Sequence, residues 1–229
     1  MKKLITVFGD SIGKGIMTDG EKLFFGTGAV DILKGEYDLK IENKSAYGQS
    51  LKRMMAREEI DKYYQTVSED KSERVAVLEL GGNDADFDWK KVAADPKGEH
   101  TSKTTPEEFF SLYKSALEKL SFYCEKVYVC SLVPVESGRF FKNVISRTAD
   151  GSKVLEYFNG DVNTVYRHQE IMNNLVVRAA DSKGYEVIDL RYAFLKSLDF
   201  SSLMCLDGIH PNANGQKLIA SSCRRFAAV

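Results

Sequence analysis

Leu4-Ile5-Thr6-Val7-Phe8-Gly9-Asp10-Ser11-Ile12-Gly13-Lys14-Gly15 is an apolar, β-branched run that breaks into a glycine-rich turn. An apolar run this short, bounded by charge and glycine, reads as a buried strand. Val75–Leu80, Val127–Leu132 and Glu186–Leu190 repeat the pattern downstream, and Tyr37–Ile41 repeats it less fully. Helical spacing fills the intervals. Pro106–Cys124 has Thr105 as N-cap, Pro106 at the first position and Glu107-Glu108 in the first turn, then apolar side chains from Phe109 to Leu120 on one face. Val162–Lys183 closes on Gly184, a residue suited to a left-handed C-cap, and Ala213–Ala227 follows the same logic. Strands alternating with helices imply a parallel sheet covered on both faces. Asp84–Thr105 and Pro134–Asp161 depart from the alternation and read as long loops, the kind that serve as lids or binding segments.

The chain has 229 residues, a length that suits one domain over 1–229. Such a domain buries roughly 70–75% of its unfolded surface, enough for a core without disulfide staples. Lys and Arg number 32 against 33 Asp and Glu, so there is no basic excess for nucleic acid to recognise. Glu58-Glu59-Ile60-Asp61-Lys62 mixes both signs, as a solvated helix face does. The apolar run after Lys2-Lys3 falls short of the 7–15 residues of a signal peptide's core, and no stretch is long enough for a membrane span. Cys124, Cys130, Cys205 and Cys223 form neither a CxxC pair nor a Cys/His metal spacing, and Cys130 reads as a small core residue. These features together fit a reduced, cytoplasmic protein.

Parallel α/β sheets bind ligands at the carboxyl ends of their strands, so the residues that follow each strand carry the chemistry. They are Gly9-Asp10-Ser11, then Ala46-Tyr47-Gly48-Gln49-Ser50, then Gly81-Gly82-Asn83-Asp84, and Asp207-Gly208-Ile209-His210-Pro211 before the last helix. Gly9 and Gly13-Lys14 are too close for a Walker A loop, and no Gly-x-Gly-x-x-Gly starts at Gly9, which disfavours a phosphate or dinucleotide cradle. Nucleophilic serine chemistry needs a base in reach of the hydroxyl and a carboxylate to orient that base. Of the three histidines, His100 sits in a polar loop and reads as solvated. His168 lies in a helical run and reads as a surface or internally satisfied residue. His210 has Asp207 three residues upstream, so one loop can turn both side chains the same way; taken alone, an ordinary ion pair explains that spacing equally well. Structural roles also stand open for the others: Ser11 as a helix N-cap, Gly48 as a turn, Asn83-Asp84 as an Asx-turn or cap, Asp10 as a hydrogen-bonding residue. Phe87, Trp89, Phe140 and Phe141 either line an acyl or sugar pocket or pack within a lid.

Taken together, Gly9-Asp10-Ser11, Gly48, Gly81-Gly82-Asn83-Asp84 and Asp207-Gly208-Ile209-His210-Pro211 resemble the blocks of the SGNH, or GDSL-type, hydrolases, in that family's order and over nearly the whole chain. The resemblance implies a three-layer α/β/α sandwich, flavodoxin-like, with about five parallel strands. It implies Ser11 as nucleophile, His210 as general base and then acid, and Asp207 as the residue that orients the imidazole. Gly48 (N–H), Asn83 (side-chain amide) and the Ser11 N–H are implied as oxyanion donors, neutral groups suited to a developing negative charge. The expected partner is a small-molecule ester, with neither metal nor cofactor. The expected reaction is carboxyl-ester hydrolysis through an acyl-serine, with a small acyl group such as acetyl, on a carbohydrate, favoured over a lipid-interface substrate. Lysophospholipase or thioesterase activity, or a non-catalytic carbohydrate-binding domain of the same fold, are the alternatives.

Overall fold

In the computed structural model the described residues are 3–37 and 39–227. Strand β1 (Lys3–Gly9) leads through a turn into a hairpin of β2 (Ile16–Thr18) and β3 (Leu23–Phe25), then α1 (Ala29–Glu36) and β4 (Lys40–Asn43). Helices α2 (Leu51–Ala56) and α3 (Glu59–Thr66) precede β5 (Glu73–Glu79), and α4 (Trp89–Ala94) and α5 (Pro106–Tyr123) follow it. After β6 (Lys126–Cys130) come α6 (Ser137–Phe140), a π-helical turn (Phe141–Ile145), α7 (Ser146–Thr148), α8 (Gly151–Tyr157) and α9 (Thr164–Asp181). The chain closes with β7 (Glu186–Ile188), α10 (Leu190–Leu195), a 3-10 turn (Phe200–Leu203) and α11 (Ala213–Ala227).

Five strands form one parallel sheet in the order β4-β1-β5-β6-β7. Alternation along the strands divides the core. Ile5, Val7, Val75, Tyr128 and Cys130 pack on one face with α1, α10 and α11. Phe8, Ala76, Leu78, Val127 and Val129 pack on the other with α2, α3, α5 and α9. This is the three-layer sandwich that the sequence implies. The strand order reverses at β1, because the chain steps out to β4 and then back across β1 to β5. Such a reversal opens a crevice at the carboxyl ends of the two central strands. Gly9 pairs with Glu79 across β1 and β5, so the segments leaving these strands start side by side.

The sequence places α5 correctly, with Thr105 Oγ1 accepting from the Glu108 N–H. Gly184 has φ +71, the left-handed value its position predicts, although α9 itself starts two residues later than Val162. Two expectations are corrected. The strand expected at Tyr37–Ile41 occupies Lys40–Asn43, because Tyr37 is the C-cap of α1; Asp38, within the expected strand, lies outside the described residues. The stretches 84–105 and 134–161 are not structureless loops. They hold α4 and the run from α6 to α8, helices too short to show a helical period; α4, α6 and α8 are begun by acidic caps, where Asp88, Glu136 and Asp150 accept from backbone N–H groups of the first turn. The two stretches pack on each other through a third apolar cluster, which includes Trp89, Val92, Phe140, Ile145, Val154 and Phe158. Among the described residues no helix is long and apolar enough to cross a membrane.

Candidate active site

Beyond β1 the chain does not enter a helix. Residues 11–15 form a tight turn, with Lys14 N–H donating to Asp10 O at 3.0 Å and Ile16 N–H donating to Ser11 O at 2.9 Å. Ser11 is therefore not a helix N-cap; the next helix starts at Ala29. Asn43 from β4 donates its side-chain amide to Gly13 O at 2.8 Å. Gln216 from α11 donates to Ile12 O at 3.1 Å and accepts from the Ala29 N–H at 2.9 Å. Side chains from β4 and α11 thus brace the turn that presents Ser11.

Asp207 and His210 leave a loop whose own backbone is stitched shut. Cys205 N–H donates to His210 O at 2.7 Å, Met204 bridges Pro211, and the Arg139 guanidinium donates to Ser201 O at 2.7 Å and Met204 O at 3.1 Å. Gly208 has φ +75, and a Cβ there would collide with the Glu136 carbonyl oxygen; no other residue fits that turn. The result is a hydrogen-bonded line: Ser11 Oγ to His210 Nε2 at 2.9 Å, and His210 Nδ1 to Asp207 Oδ2 at 2.5 Å. A carboxylate can only accept, so Nδ1 carries the proton and Nε2 of a neutral ring is left as acceptor for the Ser11 hydroxyl. Asp207 Oδ1 accepts from the Ile209 and His210 N–H groups, each at 3.1 Å. Burial pulls the Asp207 carboxyl up, but these hydrogen bonds and the imidazole outweigh it and hold it below the usual carboxylate range.

Asn83 approaches the same point from the end of β5. Its amide nitrogen donates to Gln49 O at 2.9 Å and to Asp10 Oδ2 at 3.2 Å. Two acceptors on one side fix which end of the amide is nitrogen. Gly48 precedes Gln49 at φ +62, a backbone conformation that glycine adopts without strain. Asp10 has its other oxygen on the Ile12 N–H at 2.8 Å. Burial raises its carboxyl to about 6 despite that bond. Glu79, also buried, accepts from the Asp10 N–H at 3.3 Å, and burial with the neighbouring Asp10 charge pushes its carboxyl well up. Asp84 serves as a cap, though not for a helix that follows it: it accepts from Leu51 and Lys52 N–H at the start of α2, at 2.7 and 3.2 Å, and from Thr104 Oγ1 at 2.8 Å.

The structure therefore brings Ser11, Gly48, Asn83 and His210 to the wall of one cavity, of about 630 Å³, with Asp207 directly behind His210. Phe87, Trp89 and Phe140 line it as well; Phe141 instead packs against the third apolar cluster without lining the cavity. Both remaining histidines depart from expectation. His100 is half-buried on the cavity wall, its Nε2 on Asp95 O at 2.7 Å and its ring edge-to-face with Tyr157. His168 also lines the cavity, half-buried, with its Nε2 buried and without a hydrogen-bond partner among the described residues. Gln49 and Gln216 carried no sequence signal, since their contacts join segments far apart in the chain. Among the described residues no three His, Cys, Asp or Glu side chains are grouped to hold a metal ion.

A serine, a histidine and a carboxylate in line at the strand ends of a parallel α/β sheet are the arrangement of an ester hydrolase. The chain belongs to the GDSL-like lipase/acylhydrolase family, whose profile matches residues 5–222, and it is a carboxylic ester hydrolase. No curated protein matches it in sequence. Solved structures share its fold. A lipase/acylhydrolase from Enterococcus faecalis superposes with TM-score 0.68 at 18% identity, over 100% of this chain and 96% of the other. A lipolytic protein of the G-D-S-L family from Veillonella parvula gives 0.67 at 18%, over 97% of each chain. An acetylxylan esterase from Geobacillus stearothermophilus gives 0.65 at 18%, over 100% and 94%.

Proposed function

We propose that this esterase hydrolyses small acyl esters, acetyl above all, carried on a carbohydrate alcohol, through an acyl-Ser11 intermediate. The observation that carries the mechanism is the line Ser11 Oγ–His210 Nε2–Asp207 at 2.9 and 2.5 Å. As Ser11 Oγ attacks the ester carbonyl carbon, His210 Nε2 takes its proton, and Asp207 balances the imidazolium. The negative oxygen of the tetrahedral intermediate is met by N–H groups of Ser11 and Gly48 and by the Asn83 amide. Of that amide's two hydrogen bonds the longer, to Asp10, is the one the oxyanion competes for. Collapse breaks the bond to the alcohol oxygen, which leaves with the proton from His210. Water then attacks the acyl group, again through His210, and frees the acid and Ser11.

The acetyl reading is supported by a partly aromatic cavity, and the fold is shared with an acetylxylan esterase. A fluorophosphonate should label Ser11 stoichiometrically, and Ser11→Ala should fold, resist labelling and lose nearly all turnover. Rates across p-nitrophenyl esters should fall as the acyl chain lengthens beyond acetyl. Labelling that persists in Ser11→Ala sinks the nucleophile assignment; a maximum at long chains moves the substrate to lysophospholipids or thioesters.

A further inference from the structure

Two of the three donors proposed for the oxyanion share one neighbour, Gln49. Gly48 has φ +62 and no side chain of its own to anchor it, and Tyr47 before it is 59% exposed. The turn that carries the Gly48 N–H is therefore held from its other end. Gln49 is 3% exposed, and its N–H donates to Ala46 O at 3.1 Å, which closes a turn with the Tyr47–Gly48 peptide at its centre. The Gln49 carbonyl oxygen accepts the shorter of the two Asn83 amide bonds, at 2.9 Å. That is the bond Asn83 keeps when the oxyanion displaces Asp10.

The Gln49 side chain is itself clamped. Arg53 of α2 donates its Nε–H to Oε1 at 2.7 Å, and Nε2 donates at 2.6 Å to Oε2 of Glu59, the first residue of α3. An amide between a guanidinium and a carboxylate has its orientation fixed and makes charge-assisted hydrogen bonds at both ends. Burying an amide is costly, and a methionine fills such a position without demanding two partners. What the amide adds is direction, because it ties the turn to two helices at once. Oxyanion donors work when they are fixed before the charge develops, and a displacement of about an ångström can cost about 100-fold in rate.

We propose that Gln49 is a positioning residue for ester hydrolysis: clamped between Arg53 and Glu59, it sets the Gly48 N–H and the Asn83 amide in the relation the oxyanion needs. The proposal rests on the reading of Ser11 as nucleophile and of Gly48 and Asn83 as oxyanion donors.

Gln49→Met removes both side-chain bonds at nearly constant volume. With p-nitrophenyl acetate its kcat should fall about 10–100-fold while KM stays within about twofold. A trifluoromethyl ketone adds to the nucleophile and places a charged oxygen where the intermediate has one, so its Ki should rise by the factor that kcat/KM falls. The double variant Gln49→Glu/Glu59→Gln moves the carboxylate to position 49 and the amide to position 59, where Arg53 and the amide again both donate to it. Most of the lost kcat should return. A residue that only fills space would lose stability to denaturant without the split between kcat and KM, and would gain nothing from the exchange. If Gln49→Met does not fold, Arg53→Met loosens the same clamp from a half-buried position on α2 and should show the same split. The proposal is overturned if kcat of the folded variant stays at the wild-type value, if KM rises in its place, or if the exchange restores nothing. Failure of the underlying reading looks different: Ser11→Ala would then hydrolyse p-nitrophenyl acetate at the wild-type rate, or Asn83→Ala would leave kcat unchanged.

Discussion

At Asp10, burial and hydrogen bonding pull in opposite directions. The side chain is 3% exposed, beside the proposed nucleophile, and desolvation outweighs the Ile12 and Asn83 bonds to raise its carboxyl from 3.8 to about 6. A folded-state value above the ordinary one means that the folded chain holds a proton the unfolded chain releases between about pH 4 and 6. This group's contribution to stability is therefore complete below about pH 4 and lost as pH rises through 6. Urea melts at pH 7 and 5 should show a gain of about 1 kcal/mol on acidification that Asp10→Asn lacks. An equal gain in the variant would mean that Asp10 titrates in the folded chain as it does unfolded. Ser11, Gly48, Asn83, Asp207 and His210 were singled out in the sequence by the combined resemblance of their four blocks to the SGNH hydrolases, since each alone also suits a turn, a cap or an ion pair. The electrostatics of Asp10 were not legible: its hydrogen-bond partners include Glu79, 69 positions away, and Asn83, 73 positions away.

Among the elements, α2 shows how a residue named by one motif serves another part of the chain. Ser50 caps this helix by accepting from the Arg53 N–H, and Asp84 accepts from the Leu51 and Lys52 N–H groups from across the crevice. Asp84→Ala would leave these two donors and the Thr104 hydroxyl, itself 1% exposed, without an acceptor. Loss of the cap and stranding of buried donors should together cost about 2–4 kcal/mol, seen as a lower denaturant midpoint. Because α2 begins just after Gly48 and Gln49, kcat should fall as well. A variant with unchanged stability would show that water replaces the carboxylate without loss. Long elements such as α5 and α9 were readable from their period. Helices α1, α4, α6, α7 and α8 were not, since each spans eight residues or fewer and takes its stability from packing more than from pattern.

Over the whole molecule, two apolar clusters cover the faces of the sheet, and a third lies apart from both, where 84–105 and 134–161 pack over the strand ends. The sequence marked both segments as departures from the strand–helix alternation but read them as loops, because their apolar residues meet across roughly 50 positions of chain and form no local period. The sheet, by contrast, is woven from long parallel pairings of β1 with β4 and β5. A small cluster closed over a cavity, joined to the core through few buried side chains, should open more readily than the sheet beneath it. Ile145 tests this, since it is fully buried in the third cluster within the π-helical turn and does not line the cavity. Ile145→Ala leaves a void that costs about 2–5 kcal/mol in a well-packed core. If the cap is a unit of its own, that cost falls on its local opening: amide exchange should rise sharply across Ser137–Tyr157 while β1 and β5 keep their wild-type protection. Turnover should drop too, because the cap's Phe140 and Phe158 wall the cavity in front of Ser11. Exchange that rises equally in the cap and in the central strands would show instead that the cap and the sheet unfold as one.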